Sequence, residues 1–345
     1  MSRIVMADDG VTFDGLSLRE GPLGGAETSF AFLAEAFAHR GHSVIAGTNT
    51  RRTLRHQGVE WRPLWENGFP EEADLYIGNR GHRVIPLVPN AERAVFWIHN
   101  PAEYLLKWRY LVRLWRRRPP IVFLGDHHAS TYPWWAPGGE RVVIPLGVNE
   151  LFRHAAERGP PPRQAIFTSN PLRGLDWLLD LWTRRIRPSV PDAQLILFTG
   201  SAMYGNSPAA PAARVGPILE RARQSAGSGV VLREPILHRD LATELAAARV
   251  MLYRGDSGET FCLSLAEAQA MGVPAVVAPV ASVPERVIDR MTGFVAETDE
   301  AFAQAAVRLL TDDALWLAQH RAALARQRSR SWDAVAADFE RLMAS

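Results

Sequence analysis

Two doubly wound α/β domains are what this sequence predicts, on three observations. Short Val/Ile/Leu/Phe runs alternate with helical patterns along the whole chain, the arrangement of parallel sheets with covering helices. At 345 residues the chain exceeds what a single core comfortably fills, and about 100 to 200 residues per domain gives two. A proline-rich stretch, ERGPPPRQ at residues 157–164, separates two series of strand-like runs, and proline runs favour extended connections over helix.

The elements follow in order. RIVMA opens the first series. A helix from about Ala26 buries Phe30, Leu33, Ala34 and Phe37 at i, i+3, i+4 and i+7, and Gly41 can stop it before the strand SVIAG. DLYIG, AVFWIH, IVFLG and RVVIP continue as buried strands up to about Pro145. The second series is AIFTS, LILFTG, VVLRE, VMLYR, PAVVA and GFVAE, with helices between. SWDAVAADFERLMA closes the chain as an amphipathic helix. The predicted division is a first domain of residues 1–156, a second of 157–329, and a return helix at 330–345. Such folds hold ligands outside the carboxyl ends of their strands, so the expected site is the cleft between the two domains.

Bulk properties narrow the function. A 47% hydrophobic, 22% charged composition is that of an ordinary globular protein. The single cysteine, Cys262, excludes a disulfide framework and a cysteine zinc site, and with no secretory leader pattern in MSRIVMADDG the expectation is a cytoplasmic protein. A formal charge of +2 gives no argument for nucleic acid. No H-E-x-x-H or Cys/His cluster accompanies His39, His42, His127 and His128, and no D-x-D pair is present to hold a divalent ion on a nucleotide diphosphate. The expectation is therefore metal-independent chemistry with no cofactor.

Several residues could carry chemistry. Gly24 and Gly25 precede the first helix, where backbone N–H groups and the helix dipole suit an anion, though the pattern is not G-x-G-x-x-G and no acidic residue closes the second strand to bind a ribose. His99 follows the run AVFWI at a carboxyl end, a place for a ligand group or for a structural histidine. Arg173 stands between a proline turn and a helix bearing Leu175, Leu178, Leu179 and Trp182, where its planar fork suits a phosphate. In GETFCLSLAEAQAMGVPAVV, residues 258–277, Glu259 and Glu267 would lie about 12 Å apart along a helix. Acid/base carboxylates flanking one glycosidic bond sit roughly 5 to 9.5 Å apart, so the spacing suits two parts of one extended ligand better. The N–H groups of Phe261, Cys262 and Leu263 between them would favour a phosphate.

These residues resemble the motifs of the retaining glycosyltransferases of family 4, with the GT-B architecture of two facing Rossmann-like domains. The resemblance spans nearly the whole chain: GGAE, IH after a first-domain strand, VIPLGVNELF, LRG, ETFCLSLAEAQAMGVPAVV, SVPERV, TGFV and the closing SWDAVAADFERL. It implies Glu259 at the donor sugar hydroxyls, Glu267 at the ribose, and Phe261, Cys262 and Leu263 as backbone donors to the diphosphate. It further implies Arg173 on the leaving diphosphate, Gly24 and Gly25 approaching donor diphosphate and sugar, and His99 beside the sugar. Two positions depart from the family pattern. Thr168 stands where an arginine is usual, with Arg254 the candidate replacement, and Cys262 stands where glycine is usual.

From Tyr104 to Arg118, YLLKWRYLVRLWRRR reads as a helix with Leu105, Trp108, Leu111, Val112 and Trp115 on one face and Arg109, Arg113, Arg116 and Arg117 on the other. This is either a Rossmann helix with a solvated basic face or a membrane-surface patch, a candidate contact for an acceptor or an anionic lipid at the inner membrane face. YPWWAP, residues 132–137, is either a stacking platform for an acceptor sugar or a rigid loop. The activity expected is transfer of a hexose from a UDP- or GDP-sugar to a glycan or glycolipid precursor, as in polysaccharide or lipopolysaccharide assembly. The alternatives are a sugar-nucleotide epimerase of the same architecture and a catalytically silent sugar-nucleotide or membrane-surface binding protein.

Overall fold

In the computed structural model, residues 1–21, 23–200, 209–326 and 330–343 are described. The chain forms two compact units, Met1–Gly147 with Arg330–Ser345, and Val148–Ser329.

The first unit holds β1 (Arg3–Asp8), β2 (Ser43–Thr48), β3 (Leu54–His56), β4 (Val59–Pro63), β5 (Glu72–Asn79), β6 (Asn90–Trp97), β7 (Ile121–Phe123) and β8 (Arg141–Val143). They form one sheet in the order β3-β4-β2-β1-β5-β6-β7-β8. Every pairing is parallel except β3 with β4. Helices cover both faces of such a sheet, which is why Ile4, Val5, Met6 and Ala7 of β1 form an uninterrupted apolar run and are fully buried. The β3–β4 hairpin goes beyond the strands expected from the sequence. Its turn uses positive φ at both Gln57 and Gly58, the requirement of the tight hairpin turns, but glutamine is not among the residues that signal one.

The helix α1 (Gly25–His39) buries Phe30, Leu33, Ala34 and Phe37 as the spacing predicts. The helix α2 (Trp108–Arg117) departs from the reading of its faces. A separate 3-10 turn, Ala102–Leu106, precedes it, and Tyr110 and Leu114 are its buried residues. Trp108 and Trp115 are 79% and 71% exposed. The tryptophans therefore stand on the solvent side together with Arg109 and Arg116, not on the packed face.

The second unit holds β9 (Gln164–Phe167), β10 (Gln194–Phe198), β11 (Val230–Arg233), β12 (Val250–Tyr253), β13 (Ala275–Val277) and β14 (Gly293–Val295) in the order β11-β10-β9-β12-β13-β14. All six strands lie on the runs expected, and all pairings are parallel. Helices α3 (Leu175–Leu181), α4 (Ala209–Gln224), α5 (His238–Ala247), α6 (Leu263–Ala270), α7 (Asp299–Thr311) and α8 (Asp313–Arg326) accompany them.

The division between the units falls at Gly147/Val148 rather than at 156/157, because the chain before the proline run already belongs to the second core. Phe152 is fully buried there and its ring lies 5.8 Å from His238. The proline-rich stretch is itself anchored: Arg158 donates its backbone N–H to His320 Nε2 at 3.1 Å and a guanidinium N–H to the Met271 carbonyl at 2.9 Å.

The last helix, α9 (Trp332–Arg341), returns to the first unit. Ser331 caps it by accepting from Ala334 N at 3.1 Å. Phe339 packs 5.6 Å from Trp97 and 6.3 Å from Phe37, and Arg40 holds Glu340 through two bonds of 2.5 and 2.6 Å. Since Phe339 is fully buried, Phe339→Ala is expected to destabilise the first unit by about 3 to 5 kcal/mol. The measurement is the urea midpoint of that unit followed by tryptophan fluorescence.

Candidate active site

In each sheet the strand order reverses once, beside β1 and beside β9, and the charged side chains gather at the carboxyl ends there. Open α/β sheets bind ligands at this position because the crossover helices diverge to opposite faces and leave the strand ends uncovered.

In the first unit, Asp8 ends β1 and lies in register with Asn79, the end of β5. Asn79 Nδ2 donates to Asp8 Oδ2 at 2.5 Å. The next residue, Arg80, donates to Asp8 Oδ2 at 2.7 Å and to Glu27 Oε1 at 2.8 Å. All three charges are withdrawn from water, and burial raises the Asp8 carboxyl above its ordinary value with Arg80 opposing. Glu27 belongs to the first turn of α1, and its carboxylate lies against Gly24: a Cβ there would collide with Glu27 Oε2, whereas one on Gly25 would meet open space. A side chain at Gly24 would have to displace the Glu27 carboxylate, whereas one at Gly25 would not.

His99 is buried with its ring 4.3 Å from that of Trp97. Burial holds its pKa well below the usual histidine value, with the Arg80 and His128 charges acting in the same direction. At neutral pH it is an uncharged imidazole, able to donate or accept a hydrogen bond but not to supply a cation.

In the second unit, Arg173 precedes α3 at Gly174, which has φ +89° and whose Cβ position is filled by Arg254. Its guanidinium donates to Asp256 Oδ1 at 2.5 Å and lies 3.5 Å from Glu259 Oε1. Asp256 also accepts from the Gly258 N–H at 2.6 Å, which fixes the turn leading to Glu259. Tyr253, the last residue of β12, donates its buried hydroxyl to Glu259 Oε1 and lies 3.3 Å from Ser169 Oγ. Burial and the neighbouring Cys262 and Glu259 push the phenol well up, so the hydroxyl keeps its proton and remains a donor. Glu259 itself is raised by burial, with Arg173 and Tyr253 pulling the other way.

The helix α6 begins at Leu263, so Glu259 stands on the preceding loop and Glu267 inside the helix. Glu267 is buried, with His238 Nε2 3.4 Å away. Burial acts to lower His238, but the bond to and charge of Glu267 outweigh it and the imidazole is raised. No acidic residue occupies the first turn of α6, leaving a helix end compatible with an anion. Cys262 caps it with φ +64°, ψ +70°. That left-handed conformation normally selects glycine, so cysteine here adopts the backbone that a glycine would take. Its buried thiol is pushed up and stays protonated.

The structure brings Arg173, Glu259, Phe261, Cys262, Leu263 and Glu267 to one end of the second sheet, and Gly24, Gly25 and His99 to one end of the first. Arg254, the candidate replacement for the arginine absent at Thr168, has its guanidinium 5.4 Å from the Trp177 ring. Sequence reasoning missed Asp8, Glu27, Arg80, Tyr253, Asp256 and His238. Glu27 and Asp256 were visible beside the motifs as GGAE and RGDSGE, but their partners lie at 53 and 83 residues' separation.

Residues 164–312 match the family described as Glycosyl transferases group 1. Among solved structures, a sucrose-phosphate synthase from Thermosynechococcus elongatus superposes with a TM-score of 0.74 at 18% identity, over 99% of this chain and 98% of that one. HepE of Anabaena, solved with UDP and glucose, gives 0.75 at 14% identity over all of both chains. The chain has the GT-B fold, with the glycosyltransferase match falling in its second unit. WaaG, a glycosyltransferase involved in lipopolysaccharide biosynthesis, shares that fold with a TM-score of 0.65 at 14% identity, over 97% of this chain and 98% of its own. No curated protein sequence matches it.

The raised Glu259 carboxyl gives a stability prediction with a definite sign. A group whose folded pKa exceeds its unfolded value contributes stability below the unfolded pKa and loses it as pH rises through the folded pKa. Glu259→Gln is thus expected to melt higher than the parent at pH 8 despite lower turnover, with the gap closing toward pH 4.5, the ordinary glutamate value. Thermal melts across that pH range check it.

Proposed function

We propose that the glycosyltransferase is a retaining, metal-independent enzyme of family 4, moving a hexose from a UDP- or GDP-sugar to a glycan or glycolipid precursor. The observation that carries this is the triad of buried Tyr253 and Glu259 with half-buried Arg173 at the end of β12, followed directly by the end of α6, which no side chain caps, and then by Glu267. A carboxylate fixed by a phenol and a guanidinium is preorganised to accept from sugar hydroxyls. The helix end beyond it suits the diphosphate, and Glu267 suits the two ribose hydroxyls.

Arg173 supplies the fixed positive charge near the leaving diphosphate, the work that a divalent ion performs where D-x-D pairs hold one. In retaining transfer the diphosphate leaves on the face that the acceptor attacks, and its own oxygen receives the acceptor proton. No side chain is then needed as the base, in keeping with a neutral His99. The complexes of HepE with UDP and with UDP-glucose support a uridine-linked donor.

Incubation with UDP- and GDP-sugars, followed by assay of nucleoside diphosphate release, tests the reading. Glu259→Ala and Arg173→Gln are each expected to lower turnover by about a hundredfold or more. Tyr253→Phe, which keeps the ring stacked on Phe167 at 5.8 Å but removes the donor to Glu259, should lower it about tenfold. Undiminished release by Glu259→Ala would sink the site assignment.

The outer face of α2 supports a further part of the proposal, peripheral contact with an anionic bilayer through Trp108, Trp115, Arg116 and Arg117. Exposed tryptophans among arginines are the composition of interfacial helices, and no helix among the described residues is long and apolar enough to cross a membrane. Arg116→Glu/Arg117→Glu is expected to abolish co-sedimentation with phosphatidylglycerol vesicles and to leave soluble-donor binding intact. Retained co-sedimentation would count against the contact.

A further inference from the structure

Tyr110 of α2 faces the residues that follow β5 and makes a second arrangement there, to which the exposed Arg109 also contributes. His82 and Arg83 follow β5 at its carboxyl end, two residues beyond the Asp8–Arg80–Glu27 network. The His82 ring lies 5.3 Å from that of Tyr110 on α2, and Tyr110 lies 5.0 Å from Tyr104, whose hydroxyl donates to the Arg80 carbonyl at 3.3 Å. Arg109 reaches to 5.7 Å from the Tyr110 ring, and Arg113 is tied back to the Arg109 carbonyl at 2.9 Å. Arg83 stacks over Trp65 at 4.0 Å, and Trp65 itself is 45% exposed. Three guanidinium groups thus converge around one imidazole and two rings.

Their charge is unbalanced. Among the described residues no carboxylate stands within 4.0 Å of Arg83, Arg109 or Arg113, and Arg113 Nε is buried with no hydrogen-bond partner. Asp9 is the one acidic group that acts on His82, against Arg113, Arg109 and Arg83, and burial with those cations lowers the imidazole. The Asp9 carboxylate lies against Gly81, in the turn carrying His82 and Arg83. Guanidinium forks without a carboxylate partner bind phosphate groups, and the flanking rings offer a face for a sugar.

We propose that His82, Arg83, Arg109 and Arg113 form a phosphate subsite in the first unit, with Trp65 and Tyr110 as its walls, so that the acceptor of this glycosyltransferase carries a phosphate group. The proposal rests on the transferase reading, and names its acceptor class. Electrostatic capture at this position also sets orientation, since a phosphate held between Arg83 and the two arginines of α2 leaves the rest of the acceptor to lie along the carboxyl ends of β1 and β5.

The test is titration calorimetry with glycerol 3-phosphate in saturating UDP, which occupies the donor site. The parent is expected to bind, more weakly as salt rises. Arg109→Gln/Arg113→Gln should weaken binding by about tenfold or more, while Arg3→Gln/Arg118→Gln, which removes the same charge at two exposed positions outside the cluster, should match the parent. Equal loss in both double variants would reduce the effect to bulk charge and overturn the subsite. So would absence of glycerol 3-phosphate binding by the parent, even if phosphatidylglycerol vesicles still bind, since that pattern describes a bilayer surface only. UDP affinity, measured on each variant, keeps the outcomes separate: its retention shows a folded donor site, and its loss in the parent would instead remove the transferase reading.

Discussion

Where β1 lies between β2 and β5, and β9 between β10 and β12, the crossover helices on the two sides depart to opposite faces of the sheet. No helix then covers the strand ends at that point. Side chains leaving the ends of these strands enter a partly dry space lined by backbone N–H groups and helix termini. Asp8 and Arg80 in the first unit, and Tyr253 and Glu259 in the second, occupy that space. The chemistry proposed for the chain depends on this reversal more than on any single motif.

Charge placed there is expensive unless paired. Burial raises Asp8 and Glu259, and guanidinium groups offset it only in part. Arg80 serves two carboxylates in the first unit and Arg173 two in the second. The parallel is physical: a fork with several donors can hold two carboxylates at once, whereas a lysine concentrates its charge at a point. Each network therefore carries excess negative charge before a ligand arrives, a condition that exchanges stability for preorganised polarity.

The legible parts of the site were those encoded locally. Glu259, Cys262 and Glu267 lie within one short segment, and the change from loop to helix there follows from residue spacing alone. Cys262 shows where local reading stops. It departs from the glycine usual in the resembled family, and the structure shows a left-handed backbone there carried by a residue with a side chain. The faces of α2 were misjudged for a related reason. Apolar spacing selected Trp108 and Trp115, yet the sheet packs on Tyr110 and Leu114, since a short helix with tryptophans on one side and aliphatic residues on the other offers two apolar candidates.

By itself the sequence determined the two series of strands, the return of the last helix, and the glutamate spacing in GETFCLSLAEAQAMGVPAVV. Each depends on periodicity or on residues close in the chain. Only the tertiary structure decided that Tyr253 and Arg173 hold Glu259, that Arg80 joins Asp8 to Glu27, that the Arg254 guanidinium lies over the Trp177 ring, and that the charges of Arg83, Arg109 and Arg113 all act on His82. Those contacts join strand ends that are distant in sequence, and the order of strands in a parallel sheet, which sets their neighbours, leaves no local mark in the residues it brings together.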